Sequence, residues 1–144
     1  MSEVGPKIAP LQAKENMKLI STMNPRAILI FDPEEAVRDS LHFVFTEEGF
    51  QCFSTGTEVQ ALRVLLAESI NLLIIDSQVS GLQTLLETIK KAHPSLSIIL
   101  LSSYSEAEVT QKALVHGADD FVLKPLDFDE LIIQVRTMLT TAPK

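Results

Sequence analysis

Five short apolar runs recur along the chain, and longer segments with the apolar spacing of helices separate them. The runs occupy residues 28–31, 50–53, 72–75, 98–101 and 121–123. Strands that alternate with helices predict an α/β fold, and nearly all-apolar strands indicate that helices cover both faces of a parallel sheet. Right-handed crossovers leave few topologies for such a sheet. We therefore expect a flavodoxin-like three-layer sandwich, with a five-stranded parallel sheet of order 2-1-3-4-5 and five helices.

Polar residues stand where four of these strands end. Asp32 follows the first run, Asp76 the third, Ser102 the fourth and Lys124 the fifth. In the expected topology the ligand site lies at the carboxyl ends of strands 1 and 3, where the winding of the sheet reverses. Carboxylates suit Mg²⁺, one carboxylate can act as a nucleophile, and an ammonium and a hydroxyl can stabilise phosphoryl oxygens. The strand ends therefore predict a site for phosphoryl transfer.

The composition is that of an acidic globular protein. The 144 residues carry a net charge of −7 and are 46% hydrophobic. The acidic balance argues against direct binding of nucleic acid, which requires basic residues to neutralise phosphates. The single cysteine, Cys52, excludes an internal disulfide. No apolar stretch reaches the roughly 18 residues of a membrane span, and no signal peptide is apparent, so a cytoplasmic location without membrane association is expected.

The first 25 residues differ from the rest of the chain. Pro6, Pro10 and Pro25 interrupt them, and apolar residues are sparse. We interpret residues 1–25 as an N-terminal extension, partly helical or disordered, with a candidate helix over 11–22. A single domain is expected over 26–141, followed by a short tail at 142–144.

From about residue 27 to residue 139 the sequence resembles the receiver domain of two-component response regulators. The stretches that carry the resemblance are LLIIDS, IILLSSY and GADDFVLKPLDFDEL. The resemblance implies that Asp76 is the phosphoacceptor, that Ser102 is the switch hydroxyl and that Lys124 is the family's lysine, followed by its usual proline. Phe121 matches the aromatic switch position.

The resemblance also implies a cofactor, partners and a function. Mg²⁺ would be held by Asp32, Asp76 and the backbone carbonyl of Gln78. Gln78 and Tyr104 match the positions that tune the lifetime of the phosphate. A histidine kinase or phosphotransfer protein would phosphorylate Asp76, and the face of helix 4, strand 5 and helix 5 would then change its partners. That face is also a candidate homodimer surface. Beyond self-catalysed phosphotransfer and dephosphorylation, no enzymatic activity is implied.

The sequence departs from the family pattern at two places. Pro33 stands where the family usually has a second acid that binds the metal directly. In the loop DSQVSGLQT, Ser80, Gln83 and Thr84 replace the usual proline, acid and second glycine, and only Gly81 matches. These departures predict weak Mg²⁺ binding. They also support an alternative, a pseudo-receiver that acts as an interaction domain and is never phosphorylated.

Several residues have structural interpretations that the sequence leaves open. The letters DPEE place Asp32 as the N-cap of a helix and Glu35 at N3, which is the pattern of a capping box. Glu34 is a candidate for the missing carboxylate. An alternative for Lys124 is a purely structural role as the ion-pair partner of Asp76, and Phe121 fits a plain core position equally well.

A dehalogenase-type phosphatase is a further alternative, because it also uses an aspartyl nucleophile after its first strand. That family requires Asp-x-Asp, whereas Glu34 stands two residues after Asp32. Its late acidic pair follows a strand, whereas Asp119 and Asp120 precede one. The sequence therefore disfavours this class.

Overall fold

Five strands alternate with five helices in the computed structural model, which describes residues 25–141. The strands are β1 (Ala27–Phe31), β2 (Gln51–Thr55), β3 (Leu72–Asp76), β4 (Ser97–Ser102) and β5 (Asp120–Leu123). The helices are α1 (Glu35–Glu47), α2 (Glu58–Ala67), α3 (Leu82–Ala92), α4 (Ala107–His116) and α5 (Phe128–Thr141). A 3₁₀ turn, Tyr104–Glu106, precedes α4. Among the described residues, no helix is long and apolar enough to cross a membrane. The predicted helix over 11–22 and the tail at 142–144 lie outside these residues.

The sheet has the order β2-β1-β3-β4-β5, and every neighbouring pair of strands is parallel. This confirms the predicted fold. The chain runs outward from β1 to β2 and then returns to the other side of β1 to form β3, so the winding reverses between β1 and β3. Phe31 pairs with Ile75 at the carboxyl ends of these two strands. The next residues, Asp32 and Asp76, are therefore brought to the same edge of the sheet.

Alternate strand residues supply two separate cores. Ile28 and Ile30 of β1 belong to one cluster, which α1 and α5 cover, whereas Leu29 and Phe31 belong to the other, which α2, α3 and α4 cover. All residues of β1 and β3 are buried. The near-continuous apolar runs in the sequence thus reflect a sheet that is covered on both faces.

Two glycines follow helix ends in backbone conformations that favour glycine. Gly49 follows α1 with φ 96°, and Gly117 follows α4 with φ 139°. Residues with a Cβ rarely adopt these values. At Gly117 a Cβ would also lie 3.3 Å from the carbonyl oxygen of Leu86.

The predicted capping box before α1 is not formed. The helix begins at Glu35, and Glu34 occupies the N-cap position without a side-chain cap. Asp32 Oδ1 accepts a hydrogen bond from the Glu34 N–H at 2.9 Å, which closes an Asx turn. The Asp32 N–H donates to the carbonyl oxygen of Thr55 at 3.3 Å. Because the sheet takes this N–H, the Glu35 side chain has no donor to return to, and the capping-box prediction is wrong.

Two phenylalanines of α1 offer a test of the core. Phe45 is fully buried, and its ring packs edge-on against Phe50 with centroids 5.7 Å apart. We expect Phe45→Ala to lower the free energy of unfolding by about 3–5 kcal/mol, because it leaves a cavity in the core. Phe43 lies on the same helix but is 66% exposed. Phe43→Ala should change stability by less than about 0.5 kcal/mol. Urea denaturation measures both, and similar losses from the two variants would contradict this account of the core.

Candidate functional site

A pocket of about 220 Å³ opens at the carboxyl ends of the central strands. Its lining is dominated by charged and polar side chains that come from four different strand-end loops. The lining residues are Asp32, Pro33, Glu34, Asp76, Gln78, Ser103, Glu106 and Lys124. Three of the four strand-end residues predicted from the sequence therefore line one pocket.

A shared lysine joins the two aspartates of the pocket. Lys124 Nζ lies 2.6 Å from Asp76 Oδ1 and 3.4 Å from Asp32 Oδ2. Both aspartates are buried, with relative exposures of 4% for Asp76 and 1% for Asp32. Lys124 reaches them from the end of β5, where its peptide bond to Pro125 is cis. Removal of the lysine would leave two buried carboxylates without a compensating charge.

Each aspartate is also held by the backbone that follows it. Asp76 Oδ2 accepts a hydrogen bond from the N–H of Gln78 at 2.8 Å, and Asp32 Oδ1 accepts one from the N–H of Glu34 at 2.9 Å. In both cases the acceptor oxygen belongs to the residue two positions earlier, as in an Asx turn. One oxygen of each carboxylate therefore orders its own loop, and the other faces Lys124.

Burial and neighbouring charges shift the pKa values of Asp32 and Lys124. Burial raises the pKa of Asp32, and the nearby charge of Asp76 raises it further, against the opposing effects of the Glu34 N–H and of Lys124. Burial lowers the pKa of Lys124, but the hydrogen bond and charge of Asp76, together with the charge of Asp32, outweigh this effect and raise it overall. Two carboxylates facing one ammonium leave excess negative charge, which favours a cation in the pocket.

The donor atoms of the pocket suit Mg²⁺. Mg²⁺ prefers oxygen ligands and is usually bound by one or two carboxylates, with waters and phosphate oxygens completing its shell. Asp32 and Asp76 supply two carboxylates, and the carbonyl of Gln78 is a third candidate. Between residues 25 and 141, no three His, Cys, Asp or Glu side chains are grouped closely enough to hold a metal ion. Pro33 has no side-chain donor, so the position after Asp32 supplies no carboxylate to the site.

Ser102 differs from the other strand-end residues, because its hydroxyl is bound elsewhere. Ser102 Oγ lies 2.5 Å from Thr110 Oγ1 of α4, and both residues are buried. The backbone of Ser102 does adjoin the site, since its carbonyl accepts a hydrogen bond from the Lys124 N–H at 2.7 Å. Ser102, the predicted switch residue, is thus next to the pocket, with its hydroxyl bonded to a helix.

Phe121 and Tyr104 line a second cavity, between the turn that precedes α4, strand β5 and helix α5. This groove has a volume of about 690 Å³, and Ile133 and Lys124 also line it. Phe121 is 37% exposed and Tyr104 is 83% exposed. Phe121 is therefore not a plain core residue. Because Lys124 lines both cavities, the groove and the carboxylate pocket share one side chain.

The sequence interpretation missed Glu106 and the two serines that bind it. Glu106 Oε1 accepts hydrogen bonds from Ser77 Oγ at 2.6 Å and from Ser103 Oγ at 3.0 Å. The hydrogen bond from Ser77 is the main cause of the lowered pKa of Glu106. A serine directly after each of Asp76 and Ser102 was the available signal, because two hydroxyls at neighbouring strand ends can share one acceptor.

The fold and the pocket together are those of the receiver-domain class. Residues 28–136 match the family model of the response regulator receiver domain. The chain therefore belongs to the receiver-domain family of two-component response regulators. Receiver domains in general bind Mg²⁺ at their phosphorylation site and interact with histidine kinases or phosphotransfer proteins.

Known relatives agree with this assignment. An NtrX-like response regulator of Rickettsia bellii is 32% identical over 114 residues, which cover 76% of this chain and 24% of that protein. Sporulation initiation phosphotransferase F of Bacillus subtilis is 30% identical over 114 residues, which cover 78% of this chain and 92% of that protein. The chain thus spans about a quarter of the NtrX-like regulator and nearly all of the phosphotransferase. The crystal structure of the receiver domain of NtrX from Brucella abortus has a TM-score of 0.75 at 29% identity, and the match covers 80% of this chain and 99% of that chain.

The raised pKa of Asp32 leads to a prediction about stability. In the absence of divalent metal, Asp32→Asn should raise the free energy of unfolding by about 1 kcal/mol at neutral pH, because it removes a buried charge. The asparagine Oδ1 can still accept the Glu34 N–H. The gain should shrink as the pH falls through the raised pKa of Asp32, because the wild-type carboxyl then becomes neutral as well. Denaturant melts at several pH values measure the difference.

Asp39→Asn is the matched control, because Asp39 is an exposed acid on α1. It removes the same charge from the chain without altering the pocket. A gain from Asp39→Asn equal to that from Asp32→Asn would assign the effect to net charge and contradict the role of burial.

Proposed function

We propose that Asp76 accepts a phosphoryl group and that its phosphorylation switches the interactions of this chain with other proteins. The observation that carries this proposal is the position of Asp76 at the end of β3, in the 220 Å³ pocket. There its Oδ1 lies 2.6 Å from Lys124 Nζ. A buried carboxylate beside a fixed ammonium, with room for a ligand, is better explained by the formation of an acyl phosphate than by a purely structural ion pair.

The proposed donor is a phosphohistidine of a sensor histidine kinase or a phosphotransfer protein. A carboxylate oxygen of Asp76 attacks the phosphorus atom, and the P–N bond to the imidazole breaks as the new P–O bond forms. The imidazole leaves with the electron pair of the broken bond and takes up a proton. Lys124 balances the charge on the transferred oxygens. When bound, Mg²⁺ supplies further positive charge to those oxygens, and Asp32, Asp76 and Gln78 would hold it.

Loss of the phosphoryl group follows by hydrolysis, in which water attacks phosphorus and the carboxylate of Asp76 is regenerated. The activity of the chain is thus limited to its own phosphotransfer and dephosphorylation. Gln78 lines the pocket, and Tyr104 is exposed in the adjoining groove, which shares Lys124 with the pocket. We propose that both residues set the lifetime of the phosphate through the access of water to the phosphorus atom.

The proposed response of the fold is a population shift. A phosphoryl group on Asp76 attracts the hydroxyl of Ser102 and the ammonium of Lys124. Movement of Ser102 frees space toward which Phe121 can turn from its partly exposed position. The face of α4, β5 and α5 then presents a different surface to its partners, and the same face is the proposed surface for a homodimer.

Incubation with Mg²⁺ and acetyl phosphate or phosphoramidate tests the proposal. Intact-mass spectrometry should show one phosphoryl adduct, and peptide mapping should place it on Asp76. We expect Asp76→Asn to abolish the adduct and Asp32→Asn only to slow its formation, because Asp32 stays outside the bond being made. A wild-type protein that takes no phosphate under these conditions would favour the phosphate-independent interaction domain, which the loss of the acid at position 33 and the altered loop after Asp76 already permit.

We propose further that Pro33 weakens Mg²⁺ binding, because it removes one carboxylate from the metal site. Pro33→Asp should tighten Mg²⁺ binding by at least roughly tenfold, since loss of even an outer-shell partner of a metal site costs that much. Titration calorimetry, or the Mg²⁺ concentration that half-saturates phosphorylation, measures the change.

Two control variants sharpen this test. Pro33→Ala removes the proline without adding a carboxylate, so it should leave Mg²⁺ affinity unchanged. Glu34→Gln tests whether the neighbouring acid, which lines the pocket, already supplies the missing ligand. A marked loss of affinity in Glu34→Gln would show that it does, and would contradict the two-carboxylate site.

A further inference from the structure

Two sets of hydrogen bonds meet at Glu106, one on its side chain and one on its backbone carbonyl, and together they connect the loop after Asp76 to the hydroxyl of Ser102. Ser77 Oγ donates to Glu106 Oε1 at 2.6 Å, and Ser103 Oγ donates to the same oxygen at 3.0 Å. The backbone carbonyl of Glu106 accepts a hydrogen bond from Thr110 Oγ1 at 3.0 Å. Thr110 Oγ1 in turn lies 2.5 Å from Ser102 Oγ. We call these five residues the hydroxyl–carboxylate latch.

The directions of these hydrogen bonds fix the state of the Ser102 hydroxyl. A threonine hydroxyl has one hydrogen, and that of Thr110 is directed to the carbonyl of Glu106. The contact between the two hydroxyls allows either as donor, but both contacts of Thr110 are satisfied only when Ser102 donates its own hydrogen to Thr110 Oγ1. Ser102 and Thr110 are both buried, so breaking this bond without a new acceptor is unfavourable. Ser102 cannot donate to a phosphoryl oxygen on Asp76 until it releases Thr110.

The contact of Thr110 with Glu106 is ordinary by itself. Threonine hydroxyls often donate to the carbonyl four residues earlier in a helix, and Thr88 does so to Thr84 at 2.9 Å. Thr88 is exposed, however, whereas Thr110 is buried and holds a second hydroxyl, that of Ser102. The bridge to the proposed switch residue distinguishes Thr110 from the back-bonded threonine of α3.

The side chain of Glu106 adds an electrostatic element to the latch. Glu106 lines the same pocket as Asp76 and Lys124. Its hydrogen bond from Ser77 lowers its pKa, which favours the ionised carboxylate. Phosphorylation replaces the single negative charge of the Asp76 carboxylate by the roughly two charges of an acyl phosphate, so the pocket gains about one negative charge. The two anions repel each other, and displacement of Glu106 moves the turn whose carbonyl holds Thr110.

We infer that Glu106 and Thr110 are positioning residues that hold the Ser102 hydroxyl away from Asp76 until Asp76 is phosphorylated. This inference rests on the proposed roles of Asp76 and Ser102. The latch resists phosphorylation in the resting protein and couples the arrival of the phosphoryl group to the release of Ser102. The start of α4 is the element that must shift when the latch opens.

The first test removes the hydroxyl of Thr110 and retains the shape of its side chain. Thr110→Val should speed phosphorylation of Asp76 by acetyl phosphate about three- to tenfold, the population effect of one buried hydrogen bond. Thr110→Ser keeps the hydroxyl and should restore the wild-type rate. Thr88→Val is the matched control, since it removes an exposed back-bonded hydroxyl, and it should leave the rate unchanged.

A double-mutant cycle separates positioning from a general effect on packing. When Ser102 is replaced by alanine, no switch hydroxyl remains to be held, so Thr110→Val should give no further gain in rate. A gain of the same size in the Ser102→Ala background would overturn the inference. An unchanged rate for Thr110→Val in the wild-type background would overturn it as well.

The second test removes the charge of Glu106 and remains available if Thr110→Val does not fold. Glu106→Gln keeps an oxygen for both serines, so the loops should stay in place. The acetyl phosphate concentration at half-maximal rate should fall by up to about fivefold, the effect of one charge pair in a solvated site. Glu108→Gln removes an exposed acid from the same helix and should change nothing. Equal effects of the two variants would overturn the electrostatic part of the inference.

Amide hydrogen exchange of the unphosphorylated protein distinguishes failure of the latch from failure of the proposed function. If no variant takes up phosphate, the proposed role of Asp76 fails, but the latch still predicts faster exchange over residues 102–110 in Thr110→Val and not in Thr110→Ser. Unchanged exchange in Thr110→Val would overturn the latch whether or not Asp76 is phosphorylated.

Discussion

The structure of the site depends on two buried carboxylates that share one ammonium. The reversal of the winding between β1 and β3 places Asp32 and Asp76 at adjacent strand ends. Burial and mutual repulsion make this arrangement unfavourable for the charged forms, as the raised pKa of Asp32 shows. Lys124, which follows the edge strand β5, compensates part of that charge. The remaining negative charge makes the pocket suited to a cation, and a cation makes it suited to phosphate.

The same ammonium connects the pocket to the surface. Lys124 lines both the carboxylate pocket and the groove beside Phe121 and Tyr104. Ser102 ends β4, the strand between β3 and β5. Its carbonyl is bonded to the Lys124 N–H and its hydroxyl to Thr110. A change of charge at Asp76 therefore acts on groups that already connect the site to the face of α4, β5 and α5. This connection does not require a long series of intervening residues, because each contact is a direct hydrogen bond.

Much of the fold was predictable from the chain, because burial on both faces of a parallel sheet requires apolar runs of strand length. All five predicted strands are present, and their order is the one expected. The strand-end positions of Asp32, Asp76 and Lys124 were predictable for the same reason. The start of α1 was not predictable, because the backbone N–H of Asp32 can either pair with the sheet or take part in a capping box. Only the packed sheet decides between these two roles. The Asp32 N–H extends the ladder to Thr55, and the capping box is lost.

The sequence by itself determined the topology and the identity of the charged groups at the strand ends, since both follow from periodicity and from the order of residues along the chain. The tertiary structure alone decided the direction in which each polar side chain is bonded. The hydroxyl of Ser102 is held by Thr110, and the carboxylate of Glu106 is held by Ser77 and Ser103. Hydrogen bonds depend on distances of a few ångströms between separate loops. Such distances are set when the layers pack, and no spacing along a single strand or helix specifies them.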